Sequence, residues 1–131
     1  MSDLAVIDDV RKALMRKAFD GQGFPMPFTK EIFLIACHVA GTGYRDIKAF
    51  EPELKIDDFL VLKREPKNPH DAFAIAIFSE NGKKLGYVPK AKNEILARLM
   101  DAGKFVFGKL VSKEWVDDWL RIDIRIFMRD F

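Results

Sequence analysis

The sequence predicts a mostly β protein with two helices: a small β-barrel of the OB or SH3 kind with one inserted helix and an N-terminal helical extension. Three observations lead to this fold class. Short apolar segments bounded by charged and turn residues recur at close spacing from residue 32 onwards. The last of them alternates strictly between apolar and polar residues. A single stretch of helical periodicity interrupts the series, which is typical of small closed β folds.

The N-terminal extension is predicted to be a helix over residues 3–19. Its apolar positions recur at helical spacing: Ile7, Val10, Leu14 and Ala18. Asp8 and Asp9 lie in its first half and Arg16 and Lys17 near its end, a polarity that suits the helix dipole. Glycines and prolines between residues 21 and 27 end it. We therefore divide the chain into an N-terminal helix with its connection, residues 1–28, and a barrel domain, residues 29–131. The helix is expected to pack on the barrel or on a partner.

Six strands are predicted in the barrel domain. They cover residues 32–39, 59–63, 73–78, 84–88, 105–113 and 119–128. The first is a nearly continuous apolar run, consistent with a strand that is buried on both faces or bent within a barrel. In the last, Leu120, Ile122, Ile124, Ile126 and Met128 should face one way and the intervening charged residues the other. Turns are predicted at residues 79–82, which contain Asn-Gly, and at residues 116–118.

The inserted helix is predicted over residues 91–102. Its core-facing side should carry Ile95, Leu96, Leu99 and Met100. Gly103 is expected to end the helix, because glycine readily takes the left-handed conformation found after a last helical turn.

Composition describes a globular chain that needs no covalent staple. It has 131 residues, of which 49% are hydrophobic and 32% charged, with a net charge of +2. The charge is polarised, since the segment from Lys83 to Lys109 holds seven cations against two anions. The one cysteine, Cys37, excludes an intramolecular disulfide or a thiolate zinc cluster, and is expected to be a buried small hydrophobe. No apolar stretch approaches the ~18 residues needed to span a bilayer, so we expect a cytoplasmic protein.

No catalytic constellation can be assembled from the sequence. His38 follows Cys37 in a strand, and successive side chains of a strand point to opposite faces, so the two cannot act as a base and its nucleophile. No nucleophile elbow, phosphate loop, dinucleotide fingerprint or metal-spaced cluster is present. We therefore predict a chain that is not an enzyme, without catalytic residues, metal or cofactor.

A set of motifs in the middle of the chain resembles the HIRAN domain. They are LKREPKNPHD at residues 62–71, AIAI at 74–77, Gly82, LGYVP at 85–89 and, upstream, VAGTGYR at 39–45. The family carries an Arg-Glu-Pro-x-Asn-Pro-(aromatic)-Asp stretch, then a strand, a turn glycine and Gly-(aromatic)-(aliphatic)-Pro, in the same order. The resemblance covers roughly residues 32 to 111.

The resemblance implies an OB- and SH3-related barrel that binds single-stranded DNA and prefers a free 3′ end. Transferred position by position, Tyr44 stacks on a base and Asp71 accepts a hydrogen bond from the terminal 3′ hydroxyl. Asn68 shapes the loop or contacts the ligand, and Lys90 meets phosphate. His70 takes the place where the family often has a tyrosine or phenylalanine. HIRAN domains are also found fused to DNA translocases and nucleases, which implies a DNA-processing enzyme as a further partner and a role in DNA repair.

Two further positions complete the candidate site. Gly43 stands where a DNA-binding member is expected to carry an arginine, and the neighbouring Arg45 is the candidate substitute. Tyr87 is either a stacking platform or half-buried on its strand. Arg64 and Glu65 are expected to pair at a strand end rather than to contact ligand.

The sequence leaves two functional classes open, and a third, a hydrolase, has little support beyond His70 beside Asp71. The first is a nucleic-acid-binding module that captures single-stranded DNA or a DNA 3′ end without catalysis. The second is a protein-interaction module with no nucleic-acid ligand, which the nearly neutral charge and the N-terminal helix favour. Phosphate binding would weaken steeply with salt, whereas an apolar docking surface would hardly respond.

Overall fold

The computed structural model describes residues 30–42 and 47–130, with the side chain of residue 130 excepted. The predicted N-terminal helix, residues 3–19, lies outside the described residues. The described chain is mostly β, as predicted: six antiparallel strands form one curled sheet, a half-barrel, accompanied by one α-helix.

Each predicted strand of the barrel domain is present. Their bounds are β1 Lys30–His38, β2 Phe59–Arg64, β3 Ile75–Ser79, β4 Lys84–Tyr87, β5 Phe105–Val116 and β6 Trp119–Asp130, and the spatial order is β1-β6-β5-β2-β3-β4. The predicted turn at residues 116–118 is confirmed, because Val116 pairs with Trp119 and Asp117 takes a φ of 56°. In the turn at residues 79–82 only Gly82 of the Asn-Gly pair has a positive φ, 85°.

The helix, α1, spans Asn93–Asp101 and follows a 3₁₀ turn at Lys90–Lys92. Gly103 ends it with a φ of 89°, as predicted. The predicted apolar face is wrong at Ile95, which is 68% exposed, whereas Ala97 is fully buried. At 100° per residue Ala97 lies about 60° from the buried Met100 around the helix, whereas Ile95 lies about 140° from it.

The interior of the half-barrel holds the main core. Leu120, Ile122, Ile124 and Ile126 of β6 are at most 1% exposed, which confirms the predicted alternation of this strand. The core also takes in Leu96, Ala97 and Met100 from α1, so the helix closes the inner side of the sheet.

Strand β1 lies at the edge of the sheet and is not buried on both faces, one of the two arrangements expected from its apolar run. Phe33 is 53% exposed, and the pairing register with β6 shifts between Phe33 and Ile35. Further along, Cys37 is buried and His38 exposed, so the two neighbours face opposite sides as predicted. Burial raises the pKa of the Cys37 thiol to about 11, against a smaller lowering by Lys92.

The chain after β1 returns to the opposite edge of the sheet. Ala40 and Tyr87 form an isolated bridge in which each backbone N–H donates to the other residue's carbonyl, both at 2.8 Å. The bridge is possible because Gly86 has no side chain: a Cβ there would lie 2.2 Å from the carbonyl oxygen of Ala40. The two edge strands are thereby joined at one point, beside the candidate site.

Candidate nucleic-acid interface

An open groove of about 920 Å³ lies next to the Ala40–Tyr87 bridge. The residues that line it come from three segments of the chain: Ala40, Gly41, Asn68, His70, Asp71, Ala74, Tyr87, Val88 and Lys90. Five of the seven predicted site residues are therefore neighbours in space. The other two, Tyr44 and Arg45, lie outside the described residues, and Gly41 and Thr42 are the last described residues before them.

Asn68 holds the loop between β2 and β3 in shape. Its Oδ1 accepts hydrogen bonds from the backbone N–H of His70 at 2.8 Å and of Asp71 at 3.2 Å. Its Nδ2 donates to Oε1 of Glu65 at 3.0 Å. A short amide side chain that bonds two following backbone groups is a common way of fixing a turn. The loop thus presents Asp71 and the exposed ring of His70 to the groove in a defined arrangement.

Asp71 is fixed by a hydrogen bond at each carboxylate oxygen. Oδ1 accepts from the backbone N–H of Phe73 at 2.9 Å, and Oδ2 accepts from Nδ2 of Asn93 at 2.7 Å. Partial burial raises the pKa of Asp71, but these two bonds, with the charges of Lys90 and Arg64, outweigh it and hold the pKa below its usual range. The groove therefore carries an ionised carboxylate of set orientation, and each oxygen keeps further capacity to accept a hydrogen bond.

Tyr87 is half-buried, and its hydroxyl belongs to a hydrogen-bond network. The hydroxyl donates to Oε1 of Glu65 at 2.9 Å and accepts from Nζ of Lys84 at 2.6 Å. Lys84 also pairs with Oε2 of Glu65 at 3.3 Å and lies 4.4 Å from the centre of the Tyr87 ring. Burial raises the pKa of Glu65, but the bonds from Asn68, Tyr87 and Lys84 together lower it below its usual range.

This network predicts a loss of stability in acid. A carboxyl whose folded pKa lies below its ordinary value, 4.5 for Glu65, stabilises the fold above that value. The contribution is lost as the pH falls through the lower, folded pKa. We expect the urea-unfolding free energy to drop between about pH 6 and about pH 3.5, and to drop less in Glu65→Gln. The control Glu114→Gln, at the exposed end of β5, should keep the wild-type drop; an equal drop in both variants would contradict the assignment.

Arg64 does not pair with Glu65, and that expectation is wrong. Its Nε and one terminal nitrogen donate to the two oxygens of Asp101 at 2.9 and 3.2 Å. It also donates to the carbonyls of Ala74 at 2.8 Å and Ala72 at 3.0 Å. The planar guanidinium can reach all of these at once because its donors form a fixed fork. Arg64 therefore connects the end of β2 to the β2–β3 loop and to the end of α1.

The groove offers an acceptor beside a cation. Lys90, exposed on the turn that precedes α1, lines the groove together with Asp71, and its charge contributes to the low pKa of that carboxyl. A ligand with a hydroxyl next to a phosphate matches this pair. Among the described residues, no three His, Cys, Asp or Glu side chains form a group that could hold a metal. In the same part of the chain, no helix is long and apolar enough to cross a membrane.

Sequence reasoning missed Asn93, which sets the orientation of Asp71. It is only 2% exposed at the start of α1, where an asparagine is ordinarily read as a helix cap. Its partner lies 22 residues earlier in the chain, so no local pattern points to the contact. The pairing of Glu65 with Lys84 was missed for the same reason, since it forms only when β3 pairs with β2 on one side and with β4 on the other.

Fold and groove together define a small OB-like β domain with a solvent-open site on one side. The sequence profile described as the HIRAN domain matches residues 32–129. The chain belongs to the HIRAN domain family. No curated protein is significantly similar to it.

Solved structures agree with the family assignment. The chain is similar to a protein from Lactobacillus plantarum, with a TM-score of 0.72 and 25% identity over 79% of this chain and 99% of that one. The crystal structure of the HIRAN domain of human HLTF superimposes with a TM-score of 0.60 and 20% identity over 76% of this chain and 78% of that one. The NMR structure of the HLTF HIRAN domain in its DNA-bound conformation gives 0.52 and 21%, over 76% and 79%.

Proposed function

We propose that the chain is a non-catalytic module that binds single-stranded DNA and captures its 3′ end in the groove. One observation carries the proposal: the ionised carboxylate of Asp71, held by Asn93 and the backbone of Phe73, lies beside Lys90 at the groove. A terminal 3′ hydroxyl can donate to this carboxylate. The preceding phosphate can then accept a charge-assisted hydrogen bond from Lys90.

Family membership and the DNA-bound form of the HLTF HIRAN domain support this ligand class. A 3′ phosphate is disfavoured in the same site, because it would bring its negative charge against Asp71. In this proposal Tyr44 stacks on a base, Arg45 adds a cation, and the rings of His70 and Tyr87 border the terminal nucleotide. Base–aromatic stacking contributes about 1–3 kcal/mol per base. The captured strand would then be passed to a separate DNA-processing enzyme.

The test compares DNA ends on the unaltered protein. Fluorescence anisotropy at low salt would follow labelled short single strands that end in a 3′ hydroxyl, a 3′ hydrogen or a 3′ phosphate. A hydrogen bond to a charged group contributes about 1.5–3 kcal/mol, so the hydroxyl strand should bind roughly 10- to 100-fold more tightly than the hydrogen-terminated one. The phosphate strand should be weaker still. Because only the DNA changes, a folding defect cannot produce the difference.

Variants then assign the residues. Asp71→Ala should remove the preference among ends, and Tyr44→Ala should weaken all three strands. Asp118→Ala, an exposed carboxylate in the β5–β6 turn, is the matched control and should behave as the wild type. Lys90→Ala should reduce the salt slope by about one phosphate contact, whereas the exposed Lys104→Ala should leave it unchanged. Equal binding of all three ends by the wild type would remove end capture, and no binding at low salt would remove the DNA ligand.

A further inference from the structure

A second apolar cluster lies on the outer face of the sheet. Phe107 and Phe105 are 0% and 9% exposed, and Phe59 and Phe127 pack against them. The ring of Phe107 stacks at 5.3 Å on Phe59 and at 5.6 Å on Phe127, and Phe33 meets Phe127 edge-on at 5.7 Å. These five rings, the outer aromatic cluster, cross β2, β5, β6 and β1 in one row.

The cluster faces away from the main core. Strand alternation places Val106 and Ile126 inside, so their neighbours Phe105, Phe107 and Phe127 point outward. Val61, which is opposite Phe107 in the register, is only 4% exposed on the same outer side. Side chains this shielded on the outside of a sheet need a covering layer. Within residues 30–42 and 47–130 no helix supplies one, because α1 packs into the main core.

We propose that residues 3–19 form this layer: an amphipathic helix that docks across the outer aromatic cluster through Ile7, Val10, Leu14 and Ala18. The inference goes beyond the proposed function and does not depend on it. The segment lies outside the residues matched by the family profile, so family membership does not by itself supply this layer.

The point at which the described chain begins fits this arrangement. Glu31, the second residue of β1, is paired in register with Arg129 of β6, and Arg129 is paired with Phe105 of β5. The described chain therefore begins directly beside the cluster. The connection of residues 20–29 can span up to roughly 33 Å when extended, which is ample for a return over the sheet.

Size also matches. Seventeen helical residues extend about 25 Å. The outer aromatic cluster crosses four neighbouring strands, β1, β6, β5 and β2, and the three intervals between them amount to about 14 Å. A helix over residues 3–19 is therefore long enough to cross the whole cluster.

A double-mutant cycle on the full-length chain tests the contact. Leu14→Ala and Phe127→Ala should each raise the unfolding equilibrium constant. If the side chains touch, the two effects are not independent. The unfolding equilibrium constant of the double variant should then be at least about threefold smaller than the product of the two single effects predicts. The control cycle pairs Phe127→Ala with Lys12→Ala, on the opposite side of the predicted helix, and should be multiplicative. A multiplicative Leu14–Phe127 cycle overturns the proposal.

A second measurement identifies the occupant. Val10→Asp should expose the cluster and increase the fluorescence of an added hydrophobic dye, whereas Lys12→Gln, which changes the net charge equally, should not. Sedimentation should show wild type and Val10→Asp as the same monomeric species, and both should bind DNA equally, because the groove is lined by other residues. A wild-type dimer that dissociates in Val10→Asp would assign the cluster to a second copy and overturn docking within one chain.

Discussion

Gly86→Ala is expected to destabilise the protein by about 3–5 kcal/mol. The added Cβ would lie 2.2 Å from the carbonyl oxygen of Ala40 and 2.8 Å from a methyl of Val39, far inside contact distance. Because the closest atom is backbone, relief requires the bridge to separate. Overpacking typically costs about 1–3 kcal/mol, and two lost backbone hydrogen bonds add about 1 kcal/mol each. The fraction of Gly86→Ala that remains folded should also lose DNA-end binding, since Ala40 and Gly41 form one wall of the groove.

Gly82→Ala is the matched control for this experiment. Gly82 has a φ of 85°, but a Cβ there meets nothing within 4 Å, so it isolates the conformational cost of about 1–2 kcal/mol. Urea unfolding of both variants gives the comparison. Equal losses would show that close approach at Gly86 has no energetic weight.

Arg64→Ala is expected to cost about 2–4 kcal/mol. The side chain is 13% exposed and makes four hydrogen bonds, two of them a fork on Asp101. Bonds to charged groups contribute about 1.5–3 kcal/mol, although the carbonyl of Ala74 keeps a second donor in the backbone of Glu65. The loop that carries Asp71 loses its connection through Arg64 to the end of α1, and only the Asp71–Asn93 bond at the start of the helix remains. DNA-end binding should therefore weaken together with stability.

Arg98→Ala provides the contrast, because Arg98 also pairs with a carboxylate of α1, Glu94 at 3.0 Å, but is 65% exposed. Exposed pairs of this kind contribute about 0.3–0.5 kcal/mol. Arg64→Lys keeps the charge without the fork and should fall between the two. Thermal and urea unfolding of the three variants would measure the order. A loss in Arg64→Ala no larger than in Arg98→Ala would contradict the structural role assigned to Arg64.

Most of the fold could be predicted because its elements carry local patterns. The alternation from Leu120 to Ile126 and the turn ahead of Trp119 are visible in consecutive residues, and the structure confirms both. The position of β1 could not be predicted in this way. An apolar run is compatible with a central strand or with an edge strand, and only the sheet order distinguishes them.

The candidate site was likewise predictable where its residues belong to local motifs, and unpredictable where they depend on contacts distant in the sequence. Asn68, His70 and Asp71 were found together because they belong to one contiguous motif, and Tyr87 and Lys90 because a second motif follows it at a set distance. The contacts that orient them were not found. The Asp71–Asn93, Glu65–Lys84 and Arg64–Asp101 pairs span 22, 19 and 37 residues, and such pairs depend on how strands and helix come together.

The state of Cys37 has a practical consequence for labelling this protein. Because burial raises the pKa of the thiol to about 11 and leaves the residue only 9% exposed, little reactive thiolate is present at neutral pH. Alkylating probes should pass over it. A cysteine placed at an exposed position such as Lys104 would then react selectively, so dyes or spin labels can be attached without first removing the native thiol.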